Sequence, residues 1–300
     1  MIKSFQEIKE KISNITEMKK ISIANGESES VIRAIIEVEK LHIAKGIFIG
    51  NAAAIKKIAK DLDYNIDPKA IIHETDDKAI AEKAVKLIND GEADVLMKGQ
   101  ISTPVLMKAV LDRDNGLRTG EVLSHVAVTE VPTYDKLLVF SDGGINILPD
   151  LETKVSILHS LIAMNKALGV DAPKIGALCA IEKVNPKMPE TEDASELQKM
   201  AEKGKFGEAV IEGPIAMDVA LSQKAAHKKG IHSRVAGDID SFLVPNITAG
   251  NAIIKILMKL GNAKVGGVVI GAKAPIILLS RSDTANEKLN SISLAILLSL

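Results

Sequence analysis

The sequence predicts an α/β protein built on mostly parallel sheet. Three observations lead there. From about residue 27, segments of helical periodicity alternate with short apolar runs, which is the pattern of βαβ units. The alternation persists to the carboxyl terminus with no low-complexity linker and no internal repeat of about 20 to 50 residues. The chain has 300 residues with 46% hydrophobic content, enough to fill the cores of two medium domains.

The elements follow in order. The opening MIKSFQEIKEKIS alternates charge with apolar residues and lacks the apolar segment of a signal peptide, so a cytoplasmic protein is expected. GIFIG (46–50) reads as a strand, NAAAIKKIAKDL (51–62) as a helix, AIIHET (70–75) as a strand, 76–90 as a helix and DVLMKG (94–99) as a strand. HVAVTEV (125–131) and KLLVFS (136–141) are further strands. SDGGINILPD (141–150) then breaks the pattern with two glycines, two aspartates, an asparagine and a proline, the signals of an internal boundary and hinge. Beyond it, helices are expected near 151–168, 194–203, 215–228, 249–260 and 284–298. The strands between them are KIGALCA (174–180), EAVIEG (208–213), DSFLVP (240–245), KVGGVVIG (264–271) and PIILLS (275–280). The final apolar run, 292–300, falls far short of the roughly 20 residues that span a bilayer and reads as a buried terminal helix. These breaks place a first domain at 1–142 plus 281–300 and a second at 143–280.

Charge and composition exclude several function classes. With 38 basic and 39 acidic residues, no global field draws the chain to nucleic acid or to an anionic membrane. No Trp, two Tyr and five Phe leave few platforms for base stacking. Cys179 is the single cysteine, so there is no internal disulfide. The six histidines form no H-E-x-x-H, and no metal site is expected. G-x-G-x-x-G after a strand, G-x-x-x-x-G-K-[ST] and G-x-S-x-G are all absent, which removes the main support for nicotinamide, P-loop and common hydrolase chemistry.

In parallel sheets ligands gather at the carboxyl ends of strands, so the residues just after each apolar run are the candidates. After DVLM come Lys98, Gly99, Gln100, Ile101, Ser102, Thr103 and Pro104. A cation, a permissive glycine, two hydroxyls and a helix start make an anion site. On their own the same residues are better read as an ordinary capped helix with Lys98 in solvent. After PIILL come Ser280, Arg281, Ser282, Asp283 and Thr284. Arg presents a planar fork to phosphate and hydroxyls stabilise an oxyanion, while Thr284 with Glu287 also fits a capping box. In VPNITAGN (244–251), Asn246 ends a strand and Gly250 sits inside a helix start, a sign either of a ligand near the backbone or of close helix packing. Asn185–Pro189 is a proline-clamped loop of spacer or binding type. Cys179, inside an apolar strand, reads as a core residue.

Six segments together resemble the phosphate acetyl/butyryltransferase family, and most closely its butyryltransferase branch: LMKGQISTPVLMKAVL, VFSDGGINILPD, VNPKMPETEDA, EGPIAMDVALS, VPNITAGNAIIKIL and GAKAPIILLSRSD. The resemblance covers about residues 90 to 290 strongly. It implies two three-layer α/β/α domains of the isocitrate/isopropylmalate dehydrogenase type, with coenzyme A and phosphate meeting in a cleft between them. It also implies transfer of a short acyl group, butyryl by branch, between coenzyme A and phosphate through a ternary complex, with no cofactor beyond the substrates, and homo-oligomerisation. Leu279-Ser280-Arg281 match the family's L-S-R-G segment, with Ser282 in place of glycine. The family's catalytic aspartate, seven residues after the serine, falls on Glu287, and Asp283 is the rival acid. Where the family has an arginine after its KGQISTP-like segment, this chain offers Lys108, which keeps the charge but not the fork. Lys98, Gly99, Ser102, Thr103, Lys108, Asn246, Gly250 and Asn251 are the expected substrate-binding residues. Ser280, Arg281, Asp283 and Glu287 are the expected catalytic ones. Two alternatives stand beside this: a phosphate acetyltransferase, or an acyl-coenzyme A-binding regulator that turns nothing over. A decarboxylating hydroxy acid dehydrogenase would need a carboxylate cluster for a divalent metal, and the sequence offers none.

Overall fold

The computed structural model describes residues 1–278 and 283–300. The chain forms two compact units, one of residues 5–121 with 266–300, the other of 1–4 with 122–265. In chain order, the first unit opens with α1 (Phe5–Ser13), β1 (Lys19–Ala24), α2 (Glu29–Lys40), β2 (Ala44–Gly50), α3 (Ala52–Asp61), β3 (Ile71–His73), α4 (Asp77–Asn89), β4 (Val95–Lys98) and α5 (Thr103–Val110). The second unit holds β5 (Ser124–Glu130), β6 (Leu138–Ser141), α6 (Leu151–Ala167), β7 (Lys174–Leu178), α7 (Pro189–Glu202), β8 (Val210–Ile215), α8 (Met217–Ala220), α9 (Gln223–Lys228), β9 (Ser241–Leu243) and α10 (Ile247–Lys259). The chain then returns to the first unit with β10 (Lys264–Ile270), β11 (Ile276–Ile277) and α11 (Ala285–Leu298).

In the first unit the strands lie in the order β3-β2-β1-β4-β11-β10, parallel except for the β10–β11 pair. The central strand, β1, is absent from the elements expected above. It opens on Lys19 and Lys20, and the ISIA that follows is too short and too interrupted by Ser22 to read as an apolar run. Burial explains the composition. Ile21 to Ala24 are all buried, and Ser22 Oγ donates to Ala84 O of α4 at 3.0 Å, so α4 covers one face while the two isoleucines fill the other. The lysines sit at the strand's amino end, where Lys19 pairs with Asp94 at 2.9 Å. α1, α2 and α11 pack together, and α4 pairs with α5, giving helix layers on both sides of the sheet. α11 is the buried terminal helix the sequence predicts, with Ile292 and Leu294 to Leu297 enclosed.

In the second unit the order is β5-β6-β9-β7-β8, parallel except for β5–β6. On one face, Asn165 Nδ2 of α6 donates to Ser241 Oγ at 2.6 Å. On the other, Phe140 and Phe242 stack with centroids 5.3 Å apart, in a core shared with Val219, Ala220, Ala226 and Ile254 from α8, α9 and α10. This too is a three-layer α/β/α arrangement. Lys136 Nζ bonds Asp238 Oδ1 at 2.7 Å and Asp240 Oδ1 at 2.6 Å, while Asp240 Oδ2 accepts Lys174 N at 2.8 Å, which ties the amino ends of β6, β9 and β7.

The units change over at 121/122 and 265/266, whereas the sequence placed the changes at 142/143 and 280/281. Strand pairing is the reason. β5 and β6 are hydrogen-bonded into the sheet of β9, and β11 pairs with β4, so the segment 141–150 lies inside the second unit. Two helices also differ. α7 begins at Pro189, five residues early, because proline supplies a preformed first turn. The expected helix 215–228 is split into α8 and α9, because Ser222 Oγ accepts Ala225 N and starts a new helix.

Candidate active site

In the first unit the parallel strands end at one edge, at Ala24, Gly50, His73, Lys98 and Ile277. The turn after β4 is set by a backbone crossing. Gly99 N donates to Ala24 O and Gln100 N to Asn25 O, both at 2.8 Å, with Asn25 at φ 60°. A Cβ on Gly99 would lie 1.9 Å from Asn25 O, so no side chain fits there. Lys98 is half-buried and its Nζ reaches Gly99 O at 3.2 Å and Ile101 O at 3.4 Å, folded over the turn rather than extended into solvent. Ser102 and Thr103 are exposed at the start of α5, and Ser102 stands at the cap position without a side-chain cap bond. Lys98, Gly99, Ser102 and Thr103 are therefore together, at a helix end that carries partial positive charge.

Lys108 is not with them. It is exposed in the last turn of α5 and lines a groove of about 790 Å³ between α4 and α5, beside Lys78, Lys83 and Lys86. Lys83 pairs with Glu74 at 2.7 Å, and together with the Thr75 and Asp76 N–H groups it holds the Glu74 carboxyl down at about 2. Sequence reasoning missed a further network at this edge. Glu27 Oε1 accepts Asn51 N at 2.8 Å, Asn51 Oδ1 caps α3 through Ala53 N and Ala54 N, and His73 Nδ1 accepts Ala52 N at 3.2 Å. The signal available was Asn51 immediately ahead of a helix-period run.

Ser280 and Arg281 lie outside the described residues. Of their neighbours, Thr284 and Glu287 form the capping box. Glu287 Oε2 accepts Thr284 N at 2.6 Å, and Thr284 Oγ1 accepts Glu287 N at 3.3 Å. Asp283 is half-buried, and its carbonyl oxygen takes a hydrogen bond from Lys288 Nζ, a lysine 3% exposed that no sequence pattern singled out.

In the second unit the parallel strands end at Ser141, Leu243, Leu178 and Ile215. Asn246 caps α10, its Oδ1 accepting Ala249 N at 3.0 Å. A Cβ on Gly250 would meet Val244 Cγ2 at 2.8 Å and Asp142 O and Gly143 Cα at 2.9 Å, so close packing accounts for this glycine. Asn251 is exposed and donates from Nδ2 to Gly143 O at 3.2 Å. The structure thus joins Gly250 and Asn251 to the turn after Asp142, with Asn246 capping the same helix. Cys179 is buried, and burial followed by the Glu190 carboxylate pushes its thiol up to about 12. The loop before α7 ties itself down, Asn185 N donating to Thr191 Oγ1 and Thr191 Oγ1 to Met188 O. Among the described residues no group of three or more His, Cys, Asp or Glu is placed to hold a metal ion, and no helix is long and apolar enough to cross a membrane.

The family model described as "Phosphate acetyl/butaryl transferase" matches residues 74–296. The chain is 41% identical over 297 residues to phosphate butyryltransferase of Clostridium acetobutylicum, covering 99% of this chain and 98% of that protein. It is 37% identical to phosphate acetyltransferase of Thermotoga maritima over 92% of this chain and 94% of that one. Among solved structures, a branched-chain phosphotransacylase from Enterococcus faecalis V583 superposes with a TM-score of 0.81 at 33% identity, covering 94% of this chain and 99% of its own. The chain belongs to the phosphate acetyl/butyryl transferase family.

Proposed function

We propose that this chain transfers a butyryl group, or an acyl group of similar length, between coenzyme A and inorganic phosphate in the cytoplasm, as a homo-oligomer. The observation that carries the reading is the likeness to a phosphate butyryltransferase across almost the whole of both chains, at higher identity than to the phosphate acetyltransferase. In the reaction a phosphate oxygen attacks the thioester carbonyl carbon, an oxyanion develops, and the carbon–sulfur bond breaks to release coenzyme A thiolate. Thioester and acyl phosphate stand at the same oxidation level, so the exchange calls for no redox cofactor, and charge on phosphate and oxyanion is met by cations and N–H groups.

Ser280 is assigned to the oxyanion or departing sulfur and Arg281 to phosphate. The α5 start, with Lys98, Gly99, Ser102 and Thr103, is assigned to an anionic part of the substrates. Asn246 and Asn251 are assigned to acyl-coenzyme A, and Gly250 lets the Asn251 turn close on residue 143. An acid returns the thiol proton. Asp283 and Glu287 are the two candidates for that task, Glu287 from within the capping box. Lys108, exposed in the last turn of α5 beside the α4 groove, is assigned a long-range electrostatic role toward phosphate. A covalent acyl-enzyme would need an ionised nucleophile, and Cys179, with its raised pKa, is a poor one.

The test is release of free thiol from butyryl-coenzyme A on addition of phosphate. Butyryl-coenzyme A should exceed acetyl-coenzyme A in kcat/KM, since each methylene in an apolar pocket contributes roughly 1 to 3 kcal/mol. Initial-rate plots against both substrates should intersect, and Cys179→Ala should keep most of the activity. Equal or better kcat/KM with acetyl-coenzyme A refutes the butyryl assignment. Parallel plots, or acyl label retained on denatured protein, refute the ternary complex.

A further inference from the structure

The segment that follows β6 is held by one side chain. Asp142 is 2% exposed. Its Oδ1 accepts Gly144 N at 2.7 Å and Ile145 N at 2.9 Å. Its Oδ2 accepts Asn146 Nδ2 at 2.6 Å, His125 N at 3.1 Å and Asn146 N at 3.3 Å. Five neutral amide donors thus converge on one buried carboxylate, whereas an ordinary Asx turn needs only a local bond two residues on. Asn146 Nδ2 also reaches Leu123 O at 2.8 Å, which extends the hold to the residue before β5.

What this fixes is the turn 143–146, and through it the start of α10. Gly143 Cα and Asp142 O fill the space beside Gly250, and Gly143 O takes the amide of the exposed Asn251. These groups stand where β6 and β9 end, at the edge of a parallel sheet where ligands collect. We propose that Asp142 is a positioning residue for acyl-coenzyme A binding, holding the 143–146 turn so that Asn251 of α10 and the cap residue Asn246 present their fixed faces to the ligand; this rests on the proposed function above.

Asp142→Asn is a close test because it preserves size and one acceptor oxygen. Whichever way the new amide turns, its NH₂ faces N–H donors, either those of Gly144 and Ile145 or those of His125 and Asn146. A merely structural role lowers thermal stability and leaves ligand affinity alone. A positioning role raises KM for butyryl-coenzyme A and the calorimetric Kd for coenzyme A roughly tenfold each, the effect of about one charge-assisted hydrogen bond, with kcat held within about twofold. Asn251→Ala, at an exposed site, should raise the same Kd roughly threefold, and the double variant should bind no more weakly than Asp142→Asn alone because both act on one link.

Folded Asp142→Asn with Kd and KM unchanged overturns the proposal, as do additive losses in the double variant. Should Asp142→Asn fail to fold, an unchanged Kd in Asn251→Ala overturns it. Wild-type protein that binds coenzyme A but turns nothing over refutes the catalytic reading, while weakened binding in the variants still supports positioning.

Discussion

Gly99→Ala separates what the turn after β4 owes to the chain itself from what it owes to a ligand. The added Cβ would stand 1.9 Å from Asn25 O, 2.7 Å from Asn25 C and 2.9 Å from Ala24 O, all backbone atoms that cannot rotate away. Restoring ordinary contact requires the two segments to part by roughly 1.5 Å, which breaks the Gly99 N to Ala24 O and Gln100 N to Asn25 O bonds. Those bonds contribute about 1 kcal/mol each, and the overpacking adds about 1 to 3 kcal/mol. The sum is about 3 to 5 kcal/mol. At about 2 to 4 °C per kcal/mol for domains of this size, the melting midpoint should fall by about 10 °C, with or without ligand. Gly250→Ala is the internal comparison. Its conflicts are shallower, with the Val244 methyl group at 2.8 Å and with Asp142 O and Gly143 Cα of the backbone at 2.9 Å, and the gain in helix propensity, about 1 kcal/mol, offsets part of the cost. Circular dichroism melts of both variants decide the matter. A Gly99→Ala midpoint within 2 °C of wild type, as an order-of-magnitude limit on such melts, refutes the steric argument and returns Gly99 to a role in ligand approach.

Two further outcomes are expected. Ser280→Ala should lower kcat by roughly 10² to 10³, the usual loss for one oxyanion donor, and Arg281→Lys should also be impaired; wild-type kinetics in both would remove these residues from the reacting centre. Asp238 is held at about 2, against an ordinary 3.8, by hydrogen bonds from Lys136 and then Lys174. A depressed carboxyl contributes stability that is present above its unfolded pKa and is lost as pH falls from about 4 to about 2. Asp238→Asn should therefore flatten the decline of the urea midpoint over that window, modestly because the side chain is 60% exposed, and an unchanged slope would show that the pair contributes nothing.

The fold was legible wherever burial is one-sided or complete over a long enough run. KLLVFS, KVGGVVIG and the helix 151–168 are read correctly because the first two are short apolar runs rich in β-branched or aromatic residues and the third is too long for a strand. β1 was not, because its flanking lysines serve the strand's amino end and its one hydroxyl is satisfied by Ala84 O on a helix more than 60 residues away, as the 62-residue separation of that bond shows. The domain boundary failed for a related reason. D-G-G and N-x-L-P look like linker chemistry, but a turn residue whose carboxylate is buried under five donors is an anchor, and sequence records the residue without recording what converges on it.

The same distinction runs through the candidate site. Glycine, Asn and Thr at strand ends were all visible, yet each type has a structural use that competes with the functional one. Gly99 is explained by a backbone crossing, Gly250 by helix packing, and Glu287 by a cap, so none of the three requires a ligand. Side chains without such an explanation carry more weight. Asn251 is exposed with a single bond to Gly143 O, and Ser102 occupies a cap position without making the cap bond. An exposed amide or hydroxyl left facing water costs the fold little and is available to a ligand, whereas a group already bonded must first give up about 1 kcal/mol per bond. By that measure the residues most able to select a substrate are Ser102 and Thr103, together with the amide oxygen of the exposed Asn251, and Asp142 acts on affinity through Asn246 and Asn251.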